Sequence, residues 1–153
     1  MDPDGNLVVL GKYRGSVSFG SSTLSALGED DVFVAKLDAN GNFLWARSCG
    51  GTGADSAGGL GVDAAGNIYV TGVFRANALF GSIPLTSSGQ GDIFVAKYNG
   101  SGDCLWARSS GGIGGDSGDA LATDAVGNTY IAGVFSGTVK MLRMRFNPCS
   151  RIM

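Results

Sequence analysis

Residues 63–123 read DAAGNIYVTGVFRANALFGSIPLTSSGQGDIFVAKYNGSGDCLWARSSGGIGGDSGDALAT, and the residues on either side repeat this stretch. A shift of 61 residues toward the N-terminus lays Asp2, Gly5, Asn6 and Gly11 on Asp63, Gly66, Asn67 and Gly72. The same shift lays Phe33-Val34-Ala35-Lys36 on Phe94-Val95-Ala96-Lys97 and Leu44-Trp45-Ala46-Arg47-Ser48 on Leu105-Trp106-Ala107-Arg108-Ser109. Toward the C-terminus, Asp124, Gly127, Asn128, Tyr130, Gly133 and Phe135 repeat Asp63, Gly66, Asn67, Tyr69, Gly72 and Phe74. Roughly 28 of 61 positions are identical between the first two copies, so one structural unit recurs along the chain.

Alternation and turn residues divide each unit into strands. Asn67 to Phe74 is rich in β-branched and aromatic residues and follows Asp63-Ala64-Ala65-Gly66, a tight-turn composition, so it pairs with the preceding Gly59 to Val62 as a hairpin. That preceding strand is made of small residues, as is Asp119 to Thr123 in the next copy, which suits a place where several sheets crowd together. Arg75 to Gly91 reads as a long connection with a short strand of its own. Asp92 to Tyr98 is apolar at both parities, which predicts a strand covered on both faces. Asn99 to Asp103 then turns the chain into a return strand, Cys104 to Ser109, before a glycine-rich loop, Gly111 to Gly118.

Four antiparallel strands per 61-residue unit, apolar on both faces, predict an all-β fold: a partial β-propeller built from four-stranded blades. The three linked motifs, Asp63 to Gly72, Asp92 to Lys97 and Leu105 to Ala107 followed by Gly-Gly, resemble the bacterial SBBP-type β-propeller repeat, and the resemblance covers residues 2 to about 139. It implies blades of a larger, secreted or cell-surface ring, and it implies no catalytic residues. Read this way, residues 1–51 are an incomplete blade with strands two to four, 52–112 a complete blade, and 113–139 the start of a third. Residues 140–153 leave the pattern: they hold four of the eleven basic residues, three of the four Met and no Gly, and read as a non-repeat basic tail expected to be disordered. A frameshifted or foreign end is the favoured source of the tail, with a genuine basic tail the alternative.

Composition narrows the function classes. Gly at 27 of 153 residues with only three Pro fits short strands joined by tight turns. A net charge of -2 argues against a nucleic-acid partner, and no apolar run approaches the ~20 residues of a membrane helix. Met1 runs straight into the first repeat, so no signal peptide is expected in this chain. The absence of His removes Ser-His-Asp and Cys-His catalysis and most zinc sites. No catalytic residue, cofactor or metal is therefore expected, and the module is read as structural or protein-binding.

Several motifs still invite a chemical reading. Gly115-Asp116-Ser117-Gly118 matches the string around a serine-protease nucleophile, yet without a base it is read as a loop. The Gly-rich runs after Gly50 and Gly111 lack the following helix and Lys of a phosphate loop. Asp2-Pro3-Asp4-Gly5-Asn6 and Asp38-Ala39-Asn40-Gly41-Asn42 space oxygen side chains as calcium loops do, but Asx turns account for them better. Asp55 and Asp116 are read as caps on backbone amides rather than ion ligands. Trp45 and Trp106 are read as packing rather than a glycan platform, and Arg47 and Arg108 as partners of a loop Asp. Calcium or glycan binding, or an enzyme whose site lies outside these blades, are the alternatives. Cys49, Cys104 and Cys149 occupy no equivalent positions, which predicts incidental thiols, with a Cys49–Cys104 bridge as the rival. Self-association is also expected, because a partial ring leaves a blade face equivalent to Ile93, Phe94, Val95 and Trp106 without a neighbour.

Overall fold

The computed structural model describes residues 1–140, and every regular element among them is a β-strand. In chain order these are β1 (Leu7–Tyr13), β2 (Ser16–Phe19), β3 (Ser22–Ser25), β4 (Asp31–Leu37), β5 (Phe43–Gly51), β6 (Ser56–Val62) and β7 (Ile68–Phe74). They are followed by β8 (Asn77–Phe80), β9 (Ile83–Thr86), β10 (Asp92–Tyr98), β11 (Cys104–Gly112), β12 (Ser117–Thr123), β13 (Thr129–Val134) and β14 (Val139–Lys140). From residue 141 on, the basic tail lies outside the described residues, as does Cys149.

The second unit forms the antiparallel order β6-β7-β10-β11, with β14 added at the β11 edge. The first unit forms β1-β4-β5, to which β8 and β9 are added. Both sheets are open and antiparallel throughout, a partial propeller-like arrangement that does not close on itself. As the alternation predicts, β10 is buried at every residue except Lys97.

The segment Arg75 to Gly91 departs from its sequence reading. It is a complete two-stranded hairpin, β8–β9, turned at Gly81 (φ +62°) and Ser82, and it does not join the sheet of its own unit. Instead β8 pairs with β5 of the preceding unit, Cys49 opposite Phe80, Gly50 opposite Leu79 and Gly51 opposite Ala78. β14 repeats the arrangement one unit on, with Gly111 opposite Lys140 and Gly112 opposite Val139. The two Gly-Gly pairs therefore belong to strands and not to the loop assigned from composition. A Cβ on Gly51 would collide with the Asn77 carbonyl, so only glycine lets the hairpin approach this closely.

The main core lies between the two sheets. Val32 and Val34 from β4 and Trp45 and Cys49 from β5 pack with Ile68, Val70, Phe74, Phe80, Phe94 and Tyr98 of the second unit. A smaller cluster of Phe19, Ala35 and Ala46 covers the other face of the first sheet, using that unit's own hairpin β2–β3 as its lid. Of the blade face expected to be bare, Ile93, Phe94 and Val95 are buried, which corrects that part of the reading, while Trp106 is half-buried. Apolar side chains are exposed on the terminal strands, at Leu7 and Val9 of β1 and at Tyr130, Ile131 and Val134 of β13, and also singly elsewhere, as at Leu27, Leu79 and Ile113. The small residues of β6 have the reason proposed for them, since β12 packs directly over Gly58, Gly59 and Gly61.

Candidate functional site

The recurrent acidic residues are all engaged with the backbone around them. In the turns, Asp2 Oδ1 accepts the N–H groups of Asp4 and Asn6 while Oδ2 accepts the Asn6 side-chain amide. Asp38, Asp63 and Asp124 repeat this pattern, and Asn99 does so with Asp103 as the partner. These are the Asx turns read from sequence; the side chain supplies an acceptor where the turn lacks one.

Asp55 and Asp116 act one level deeper. Asp55 Oδ2 accepts from Gly51 N–H at 2.8 Å and Oδ1 from Arg75 N–H at 2.9 Å, tying the end of β5 to the start of the β8 hairpin. Asp116 does the same with Gly112 N–H and Ser136 N–H, both at 2.8 Å. Ser117, beside it in the protease-like string, is simply the first residue of β12. Beside each cap lies a second buried carboxylate, Asp31 or Asp92, whose Oδ2 accepts the N–H of Leu27 or Ser88. In both, Oδ1 is buried with no hydrogen-bond partner among the described residues. Burial pushes the Asp31 and Asp55 carboxyls above the usual range against the pull of their hydrogen bonds; the Asp31 carboxylate raises Asp55 further, and Asp30 does the same to Asp31.

The aromatic and basic residues of β5 hold the next unit. Trp45 is buried and its indole N–H donates to Gly100 O at 3.1 Å. Arg47 donates from Nε to Gly102 O at 3.0 Å and from a terminal nitrogen to Ser101 O at 3.3 Å. Its partners are therefore backbone carbonyls, of the Asn99–Asp103 turn and of Ala46, and not the loop Asp expected from sequence. Sequence reasoning missed this clasp because the two halves lie 55 residues apart and only the three-dimensional stacking of the units joins them.

Lys36 links the Asp2 turn to the Asn99–Asp103 turn, donating to Asp2 Oδ2 at 2.6 Å and to Gly100 O at 3.3 Å. Burial disfavours the Asp2 carboxylate, but its bonds to Lys36 and Asn6 prevail and hold its pKa near about 2. A carboxyl depressed in this way contributes stability that is complete above its unfolded value of 3.8 and is lost as pH falls toward about 2. Asp31 and Asp55, shifted upward, act in the opposite sense: their contribution is complete below 3.8 and declines as pH rises through their folded values. In thermal melts across pH, Asp2→Asn is expected to be destabilising at neutral pH, with the gap to wild type closing between about pH 4 and pH 2. A constant gap would show that the pair carries no ionic component.

Between the units lies a cavity of about 250 Å³ lined by Arg47, Ser48, Tyr98, Asp103 and Cys104 among others. Both described cysteines are free. Burial pushes the Cys49 thiol to about 12 and the Cys104 thiol to about 11, which leaves them protonated and poorly nucleophilic. The Tyr98 hydroxyl sits 2.8 Å from Cys49 Sγ, and its own acidity is suppressed by the same burial. Among the described residues no three His, Cys, Asp or Glu side chains converge as metal ligands would. No helix there is long and apolar enough to cross a membrane.

One outward feature recurs with the repeat. Leu44 and Leu105 occupy the same position of β5 and β11 and are 52% and 50% exposed, although the next residue is buried Trp45 in the first case and half-buried Trp106 in the second.

No family model matches the chain. It is similar to an uncharacterized WD repeat-containing protein of Acanthamoeba polyphaga mimivirus, 27% identical over 89% of this chain. It is also similar to the regulatory protein FlaEY of Caulobacter vibrioides, 36% identical over 69% of this chain. The chain spans only 12% of the length of each of these relatives.

Proposed function

We propose that this chain is a non-catalytic structural and protein-interaction module, a set of SBBP-type blades within a secreted or cell-surface propeller. In this reading residues 1–51, 52–112 and 113–139 are an incomplete, a complete and a beginning blade. The observation that supports it is the engagement of the recurrent Asp side chains with backbone amides, which among the described residues leaves no three His, Cys, Asp or Glu side chains gathered as a metal site. The similarity to a WD repeat-containing protein supports a repeat module, and a similarity that covers so little of the relatives leaves their activities with them.

The surface for a protein partner is the row begun by Leu44 and Leu105, since a large apolar side chain held half in solvent at the same place in successive units gains from burial in a complex. The double variant Leu44→Glu/Leu105→Glu should keep the wild-type circular dichroism and melting temperature, because both positions are exposed. In cross-linking with the surface and secreted proteins of the source cell, wild type should retain a defined partner and the double variant should not. Equal retention by both would overturn this assignment.

A further inference from the structure

We propose that Asp31 and Asp55 hold one proton between them, and that this proton keeps the junction between β5 and the β8 hairpin closed until rising pH removes it.

Both carboxyl groups are buried, their residues 0% and 1% exposed, although they come from different elements. Asp31 opens β4, while Asp55 stands just before β6 and ties the end of β5 to the start of the β8 hairpin. Gly50 lies between them. A Cβ on Gly50 would stand 2.6 Å from Asp55 Oδ2 and 3.0 Å from Asp31 Oδ1, so the two oxygens converge over a residue with no side chain to keep them apart. The next unit repeats the geometry: a Cβ on Gly111 would stand 2.7 Å from Asp116 Oδ2 and 2.8 Å from Asp92 Oδ1. The same pair of oxygens over the same glycine in two copies makes the convergence a feature of the unit and not an accident of one loop.

Two carboxyls facing each other in a buried place cannot both ionise without a compensating cation. Among the described residues neither takes part in an ion pair. On the outer side Lys12 and Arg14 are paired with Asp30, which itself adds a like charge beside Asp31. From the hairpin Arg75 directs its guanidinium at the Gln90 and Ala54 carbonyls, and its charge favours the Asp55 carboxylate less than Asp31 disfavours it. From β5 comes Cys49, whose thiol burial keeps protonated, and from β1 comes Tyr13, whose neutral hydroxyl bonds the Ser48 hydroxyl that donates to Asp31. The hydrogen bonds then place the proton. Both Asp55 oxygens accept backbone N–H groups, Oδ2 from Gly51 and Oδ1 from Arg75. On Asp31 the Leu27 N–H and the Ser48 hydroxyl both donate to Oδ2, at 3.1 and 3.4 Å, and Oδ1 has no partner among the described residues. An orphaned carboxylate oxygen is costly when buried, whereas an acid O–H at Oδ1 is a donor facing a remaining lone pair of Asp55 Oδ2. The upward shift of both groups agrees with a bound proton. Its loss sets a second charge beside the carboxylate that holds Gly51 and Arg75, and the repulsion acts on the two bonds that fasten the hairpin to β5.

The test is an NMR titration of the Asp carboxyl carbons in the full chain, with amide hydrogen exchange measured alongside. The Asp31 and Asp55 signals should each trace two steps, the upper one above 3.8, because coupled groups share their titrations. Through that upper step the Gly51 and Arg75 amides should lose at least about tenfold in protection relative to the amides of β10, the equivalent of a one-unit coupling. Asp31→Asn puts an amide N–H donor where the proton sat. In this variant Asp55 should show one step, moved to lower pH, and the two amides should keep their protection as pH rises. Single independent steps at the two carboxyls, an Asp55 step unmoved by Asp31→Asn, or amides indifferent to the upper step would overturn the proposal. A cation in place of the proton would keep both carboxylates ionised and abolish the upper step, which also overturns it. Should Asp31→Asn fail to fold, the step pattern and amide protection of wild type decide alone.

Discussion

Replacing Phe80 with Ala is expected to lower the stability of the chain by about 3–5 kcal/mol. Phe80 is fully buried, lies 4.8 Å from Phe94 and 6.3 Å from Phe74 between ring centroids, and stands opposite Cys49 in the strand that belongs to the other sheet. One side chain therefore fills the core of the second unit while its backbone completes the first. Its counterpart Phe19 packs on Phe33 and Phe43, but its hairpin bridges to no other sheet among the described residues. Phe19→Ala should cost less, about 3 kcal/mol or below. The two differ in kind as well: in a repeat chain stability is the sum of unit terms and junction terms, so weakening the junction should split the urea transition into two. Urea melts of both variants decide it; equal losses with a single transition would mean that the hairpin does not couple the units.

Asp55→Ala is expected to be nearly as damaging, at about 2–5 kcal/mol. Both Asp55 oxygens are occupied by backbone donors, the Gly51 bond buried and the Arg75 bond partly so, and removing the carboxylate strands Gly51 N–H and Arg75 N–H at a cost of about 1–3 kcal/mol each. Asp55→Asn keeps one acceptor oxygen and should lose about half as much. If Asp55 instead served an ion, the damage would track metal: chelator would lower the melting temperature of wild type, and millimolar calcium would raise it. A melting temperature unchanged by either is the expected result, because each Asp55 oxygen is already held by a backbone amide.

Much of this arrangement is legible in the residues. The 61-residue period, the hairpin at Asp63, the doubly buried Asp92 to Tyr98 strand and the Asx turns follow from local pattern, since each is decided by residues adjacent in sequence. The capping role of Asp55 follows for a related reason: a recurrent Asp beside a Gly-rich strand end has backbone amides within reach. What local pattern could not supply is the destination of β8–β9. Its alternation marks a strand, but the choice between its own sheet and its neighbour's depends on which free edge lies closest after the sheets stack. The same non-local fact reassigns Gly51 and Gly112 from loop to strand and gives Arg47 a set of carbonyls in place of an Asp. The outer face of the first sheet, by contrast, is covered locally, by its own hairpin β2–β3 over Phe33 and Ala35.

The exchange of hairpins between neighbouring units is the claim on which the remainder depends. Its most direct test is an amide–amide NOE between Gly50 and Leu79 in a perdeuterated sample of the full chain. The pairing of β5 with β8 predicts a strong cross-peak, together with one between Thr52 and Asn77, whose N–H and carbonyl are hydrogen bonded. A β8 strand whose NOEs run only to β9 and to the sheet of its own unit would contradict it.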